Sequence, residues 1–282
     1  METVQTDSKP DNLARLIRVG YLGPPGTFSY QAAVQHFGQS ATLVPCRTIV
    51  DVFTETERLA ADFGVVPVEN STEGGVSHAV DRFLETNLQI CGEVGVAVSH
   101  FLLSNGRLDQ ITQVYSHPQG LAQCRRWLAQ HLPNAAQIET ASTAGSAQLA
   151  RAIDSAAIAP EAASQLYDLP IIAPHIEDIS TNITRFLVIG QQMAVRTGHD
   201  RTAIVFSVED RAGALVAALS CFSRHEISLS RIESRPSRRR PWEYVFFVDL
   251  GGHPSDGIVA LSLSELRSIC ESVRVLGAWS IK

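Results

Sequence analysis

The order in which apolar runs follow one another most constrains what this chain can fold into. Between residues 18 and 173, short β-rich runs (18–22, 42–45, 64–68, 113–116, 156–159 and 171–173) alternate with stretches of helical period (48–60, 76–85, 120–130 and 143–153). Strands separated by helices rejoin one sheet in one direction, so the pattern predicts an α/β domain with a mostly parallel sheet. The apolar stretch 88–103 has no helical period and reads as one extended strand or two in succession. A chain that leaves such a sheet and later re-enters it can form two lobes around a cleft.

Beyond a polar segment at 191–200 the order changes to strand (202–208), helix (213–224), strand (227–233), strand (242–250), helix (258–271) and strand (273–281). That βαββαβ order predicts a ferredoxin-like second domain. With 282 residues the chain has room for two cores. We place a disordered N-terminus at 1–16, a first domain at 17–190, a linker at 191–200 and a second domain at 201–282.

A net charge of −6 argues against a nucleic-acid groove or an anionic membrane as principal partner, since both reward clustered cations. The cluster Arg238, Arg239, Arg240 is too short to reverse this. Five scattered cysteines (Cys46, Cys91, Cys124, Cys221 and Cys270) form neither a metal pair nor a disulfide framework, and a reducing cytoplasm fits them. Residues 1–17 contain no apolar signal segment, and no run approaches the ~20 apolar residues of a membrane span.

Four loops between predicted strands and helices carry hydroxyls, amides and glycines. Gly23 to Ser29 (GPPGTFS) lets a ligand approach the backbone, and Ser29 can cap the following helix, but the spacing matches neither nucleotide fingerprint. Asn70, Ser71 and Thr72 stand before the glycines Gly74 and Gly75, and Ser142 and Thr143 repeat the theme. In Ser116-His117-Pro118-Gln119, His117 reads as an acid or as a hydrogen-bonded loop histidine. Helix caps and turns explain each loop separately. Ligands of open α/β sheets gather at the carboxyl ends of strands, which would bring these loops to one pocket. Thr184-Arg185-Phe186, where a loop enters an apolar strand, adds a hydroxyl, an aromatic face and a guanidinium fork for a carboxylate. Histidine spacing gives no metal site, no GxSxG elbow is present, and no lysine lies between Lys9 and Lys282. The chemistry expected is orientation and electrostatics, with no cofactor.

Taken in order, these segments resemble the prephenate dehydratase family with its C-terminal ACT domain, over about residues 18–281. Residues 23–29 are similar to its GPxGTFS loop, 68–74 to its ENSxxG loop and 116–119 to SHPQ. Residues 142–144 are similar to STA and 184–186 to TRF. Gly213, Ala214 and Leu215 resemble the GAL motif, and Glu233, Ser234, Arg235 and Pro236 the ESRP motif, of phenylalanine-sensing ACT domains. The resemblance implies a two-lobed catalytic domain like type II periplasmic-binding proteins. It also implies decarboxylating dehydration of prephenate to phenylpyruvate on the way to phenylalanine, inhibition by phenylalanine, and a homodimer or homotetramer joined through ACT domains. In that reading Thr184 donates to the leaving hydroxyl, Arg185 binds a carboxylate or orders the Thr184 loop, and Phe186 packs beneath the site. Thr27, Asn70, Ser71, Ser142, Thr143 and Gln119 bind substrate.

Two positions depart from the family pattern. Ala212 replaces the proline usual before GAL, which bears on how tightly phenylalanine is held, and Gly120 follows SHPQ where alanine is common, a minor change. Arogenate dehydratase shares every motif quoted. A non-catalytic amino-acid sensor, or an ACT-like tail that only dimerises, would use the same architecture.

Overall fold

Strand β1 (Arg18–Leu22) buries Val19 and Tyr21 and lies one strand in from the edge of the first sheet. The computed structural model describes residues 16–237 and 243–281. The disorder expected for 1–16 therefore lies, apart from Leu16, outside the described residues, as does the cluster Arg238 to Arg240. After β1 come α1 (Phe28–Phe37), β2 (Thr42–Cys46), α2 (Ile49–Glu57), β3 (Phe63–Asn70), the short β4 (Gly74–Gly75), α3 (Ser77–Arg82) and β5 (Gln89–Ala97). Helix α2 starts in a capping box: Thr48 Oγ1 accepts from Asp51 N at 3.1 Å, and Asp51 accepts from Thr48 N at 3.0 Å.

The apolar stretch 88–103 is two strands in two different sheets. The chain leaves the first lobe after β5 and builds a second from β6 (Phe101–Leu103), a 3-10 turn (Leu108–Gln110), β7 (Gln113–Ser116), α4 (Pro118–Gln123), α5 (Arg125–His131), β8 (Ala136–Glu139), α6 (Thr143–Leu149), β9 (Ser155–Ala159), α7 (Glu161–Tyr167) and β10 (Ile171–Ala173). It returns as β11 (Ile183–Gly190), which inserts between β3 and β5. Two segments thus join the lobes, and they grip each other. Glu177 on the return accepts from His100 N at 2.8 Å and from Ser99 Oγ at 3.1 Å on the outward one.

The mostly parallel sheet expected is corrected to two mixed sheets. In the first lobe β2, β1 and β3 are parallel but β11 runs against both neighbours; in the second, β8, β7 and β9 are parallel while β6 runs against β9 and β10. A strand arriving by a lobe-to-lobe crossing has no helix to reverse its direction. The single helix expected over 120–130 is likewise two, broken at Cys124, because Asp178 from the return segment accepts from Arg126 N and Trp127 N and starts α5 afresh.

The C-terminal domain runs β12 (Asp200–Ser207), α8 (Ala214–Ser223), β13 (Leu229–Pro236), β14 (Tyr244–Gly251), α9 (Gly257–Ile269) and β15 (Ser272–Ser280). Its antiparallel order, β13-β14-β12-β15, is the ferredoxin-like arrangement. Phe206, Phe222, Leu250 and Leu263 fill the core under its helices. The other sheet face packs Val205, Phe247 and Trp279 into one cluster with Phe53, Val68 and Leu187 of the first lobe. Where β15 meets β5, Gly277 pairs with Ile90, and a Cβ on Gly277 would lie 2.1 Å from the Ile90 carbonyl oxygen. Gly277→Ala should therefore separate the two domains' strands, cost at least about 1–3 kcal/mol and lower the thermal midpoint. An unchanged midpoint would contradict this account of the junction. Among the described residues no helix is long and apolar enough to cross a membrane.

Candidate active site

Side chains of a strand alternate between faces, so β11 sends Thr184 and Phe186 to one side and Arg185 to the other. Thr184 and Phe186 line a cleft of about 370 Å³ between the lobes. Register sets Thr184 opposite Asn70 at the end of β3, and Asn70 Nδ2 donates to Thr184 Oγ1 at 2.9 Å. Asn70 is buried, and its Oδ1 accepts from Thr72 N (3.0 Å), Thr72 Oγ1 (2.7 Å) and Glu73 N (3.1 Å). Backbone donors fix the amide's orientation, so Nδ2 must be the group facing the threonine. With its oxygen already accepting, Thr184 has its own proton free for the cleft.

The loops expected to converge do so. Thr27 caps α1, accepting from Tyr30 N at 3.3 Å and donating to Leu22 O at 3.1 Å; Ser142 caps α6, accepting from Gly145 N at 3.0 Å, and Thr143 follows it. All three line the cleft with Gln119 and Asn70. The N-termini of α1 and α2 open toward the same space, where unpaired N–H groups favour anions. His117 lines it as well, but its Nδ1 accepts from Gln119 N at 3.2 Å as the cap of α4, the loop-histidine role. A Cβ at Gly120 would lie 2.5 Å from Ser116 Oγ, so the glycine gives that hydroxyl room.

Arg185 departs from the carboxylate-binding alternative and fits the other, ordering of the Thr184 segment. It does not line the cleft: its Nη2 lies 2.8 Å from Glu93 Oε2, its Nη1 2.7 Å from Asp249 Oδ2, and its guanidinium sits 5.9 Å over the Trp279 ring. Burial opposes the charge, but Asp249 and Glu93 outweigh it and raise the guanidinium's pKa. Ser71 is also outside the cleft; it fastens the strand end, accepting from Ile183 N at 2.9 Å and donating to Asn182 Oδ1 at 3.3 Å. Gln119 reaches the cleft, yet its amide donates to Glu73, which also accepts from Gln123 Nε2 at 2.7 Å. Glu73 belongs to the first lobe and both glutamines to the second, so one carboxylate bridges the cleft.

Three polar lining residues escaped the sequence reading: Arg47, His100 and Gln123. Arg47 follows β2 and precedes the cap Thr48, so the carboxyl-end rule for strands could have found it. Among the described residues it is the one Arg or Lys lining the cleft.

In the C-terminal domain Ala214, Leu215 and Ser234 line a cavity of about 560 Å³ beside the β12–α8 loop. Gly213 opens α8 at φ +82°, a left-handed conformation suited to glycine. Glu233, Arg235 and Pro236 do not line this cavity of the single chain. Strand period turns Arg235 toward the first lobe, where it meets Asp81 at 2.8 Å, and Glu233 pairs with Arg231 and Arg235. Pro236 is exposed at the strand end.

A two-lobed α/β domain with a hydroxyl- and amide-lined cleft, fused to a ferredoxin-like domain with its own cavity, has the build of an enzyme under ligand control. The sequence model of the prephenate dehydratase family matches residues 19–194, and that of the ACT domain residues 202–267. The bifunctional chorismate mutase/prephenate dehydratase of Aquifex aeolicus is 46% identical over 270 residues, covering 95% of this chain and 75% of that protein. The prephenate dehydratase of Lactococcus lactis is 34% identical, covering 94% of this chain and 98% of its own length. The crystal structure of prephenate dehydratase from Arthrobacter aurescens in complex with L-Phe superposes with a TM-score of 0.86 at 34% identity, over 94% of this chain and 90% of that one. The chain belongs to the prephenate dehydratase family.

Proposed function

We propose that this cleft converts prephenate to phenylpyruvate with Thr184 assisting departure of the ring hydroxyl, and that the C-terminal cavity holds phenylalanine as inhibitor. In the reaction the ring carboxylate leaves as carbon dioxide, its bonding pair enters the ring, and the C–O bond to the hydroxyl breaks, leaving an aromatic ring. Aromatisation favours every step, so the site has to hold a dianion and ease one departure. The observation that carries the reading is the Asn70 Nδ2 donation to Thr184 Oγ1, which leaves the threonine proton directed at substrate. Arg47 takes over the carboxylate role first given to Arg185, with the α1 and α2 N-termini beside it. Phe186, buried under the cleft, packs against the ring.

Phenylalanine in the C-terminal cavity is supported by the ligand of the Arthrobacter structure and by Ala214, Leu215 and Ser234 at the cavity wall. Assembly through this domain is supported by its edge strand β13, where Ile232 is half exposed. A cytoplasmic setting fits five unpaired cysteines. The test is to supply the purified protein with prephenate and with arogenate. Phenylpyruvate formed from prephenate at the faster rate, and suppressed by added phenylalanine, is the expected result. Faster turnover of arogenate, or binding without turnover of either, would replace this reading.

A further inference from the structure

We propose that Nδ1 of His100 accepts a hydrogen bond from the ring hydroxyl of the substrate and turns the leaving oxygen toward Thr184. The proposal rests on the prephenate reading of the cleft. His100 sits on the outward segment between the lobes, lines the cleft and is 1% exposed. Its place is fixed from both sides: its backbone N–H donates to Glu177 at 2.8 Å, its carbonyl accepts from Ile176 N at 2.9 Å, and its ring meets Phe28 edge-on at 5.6 Å.

The ring's tautomer follows from its neighbours. Nε2 lies 2.7 Å from Gln123 Oε1, and Gln123 Nε2 donates to Glu73 Oε1 at 2.7 Å. The glutamine oxygen can therefore only accept, so Nε2 carries the proton and Nδ1 is a bare lone pair. Nδ1 is buried and has no hydrogen-bond partner among the described residues. Burial lowers the imidazole's pKa, against the pull of Gln123, Glu177 and Glu73, and keeps the ring uncharged.

An unpartnered buried acceptor asks for a donor from the ligand. Prephenate has two ionised carboxylates and a ketone, all acceptors, and a single donor, the ring hydroxyl. The hydroxyl is therefore the one group of prephenate that His100 Nδ1 can bind. Thr184 then donates to its oxygen while His100 takes its hydrogen, and these two contacts fix the direction in which the C–O bond opens. No bond to His100 forms or breaks.

Kinetics on prephenate separate the possibilities. His100→Gln keeps an amide near Nε2 and lacks the Nδ1 acceptor; His100→Asn places an amide oxygen near Nδ1. Because His100 acts by orienting the hydroxyl, we expect His100→Gln to lower kcat by about tenfold to a hundredfold with KM nearly unchanged, and His100→Asn to recover part of the loss. Full kcat in His100→Gln, a rise in KM alone, or a larger loss on arogenate, whose ammonium is a second donor, would each overturn the assignment. If His100→Gln does not fold, Gln123→Leu releases the tautomer lock and is read the same way: reduced kcat supports the proposal and full kcat overturns it. An inactive wild-type protein would instead refute the prephenate reading itself.

Discussion

Thr184→Val should fold, bind prephenate with a KM near that of the unaltered protein, and turn it over about a hundredfold to a thousandfold more slowly, the range found when one preorganised donor is removed from a reacting oxygen. Valine keeps the branched shape of threonine in β11, so strand packing and the buried neighbour Phe186 are undisturbed. What is lost is the proton that Asn70 leaves free by donating into the Thr184 oxygen at 2.9 Å. The departing hydroxyl gains negative charge as the C–O bond opens, so this donor strengthens in the transition state and its removal falls on kcat. A smaller second effect belongs to Asn70, whose buried Nδ2 loses its acceptor at a cost of about 1–3 kcal/mol in stability. Arg47→Ala gives the contrasting pattern: an exposed cation holding a carboxylate acts equally before and during the reaction, so KM should rise about tenfold with kcat little changed. Full activity in Thr184→Val would remove the threonine from the mechanism.

Both domains and their element order were readable because periods of two and 3.6 survive in a single sequence, and helix caps such as Thr48 and Ser142 stand beside the runs they start. The loops at Thr27, Asn70 and Ser142 were readable as a set, since strand ends of an α/β sheet share one edge. Partners across the chain were not. Asn70 and Thr184 lie 114 residues apart, and their pairing depends on β11 returning between β3 and β5, which no local pattern specifies. The carboxylate-binding alternative for Arg185 fails by a rule that is local: if Thr184 and Phe186 face the cleft, the residue between them faces away. Chemical suitability of a guanidinium for a carboxylate outweighed strand geometry there. On β13 the same period sets Ser234 at the cavity and turns Glu233 and Arg235 away from it. His100 gave no sequence signal, because its role depends on Gln123 and Glu73 from different lobes.

Arg185→Met should destabilise the protein by about 3 kcal/mol, the lower end for removing one partner of a buried ion pair, and lower its thermal midpoint by several degrees. The guanidinium joins four elements, with Glu69 on β3, Glu93 on β5, Asp249 on β14 and Trp279 on β15, and its side chain is 16% exposed. Methionine fills much of the volume but leaves Asp249, 5% exposed, without its cation. Glu93 suffers less, because Arg201 at 3.0 Å and Trp279 Nε1 at 3.1 Å still face it, which sets the lower estimate. Combining Arg185→Met with Asp249→Leu should recover much of the loss, since the uncompensated charge goes with its partner. Because Arg185 follows Thr184 on one rigid strand, the single variant should also reduce kcat and shift the phenylalanine concentration that halves activity. A residue holding substrate would instead raise KM and leave the thermal midpoint alone. That outcome would return Arg185 to the cleft and break the link drawn here between the C-terminal domain and the catalytic strand.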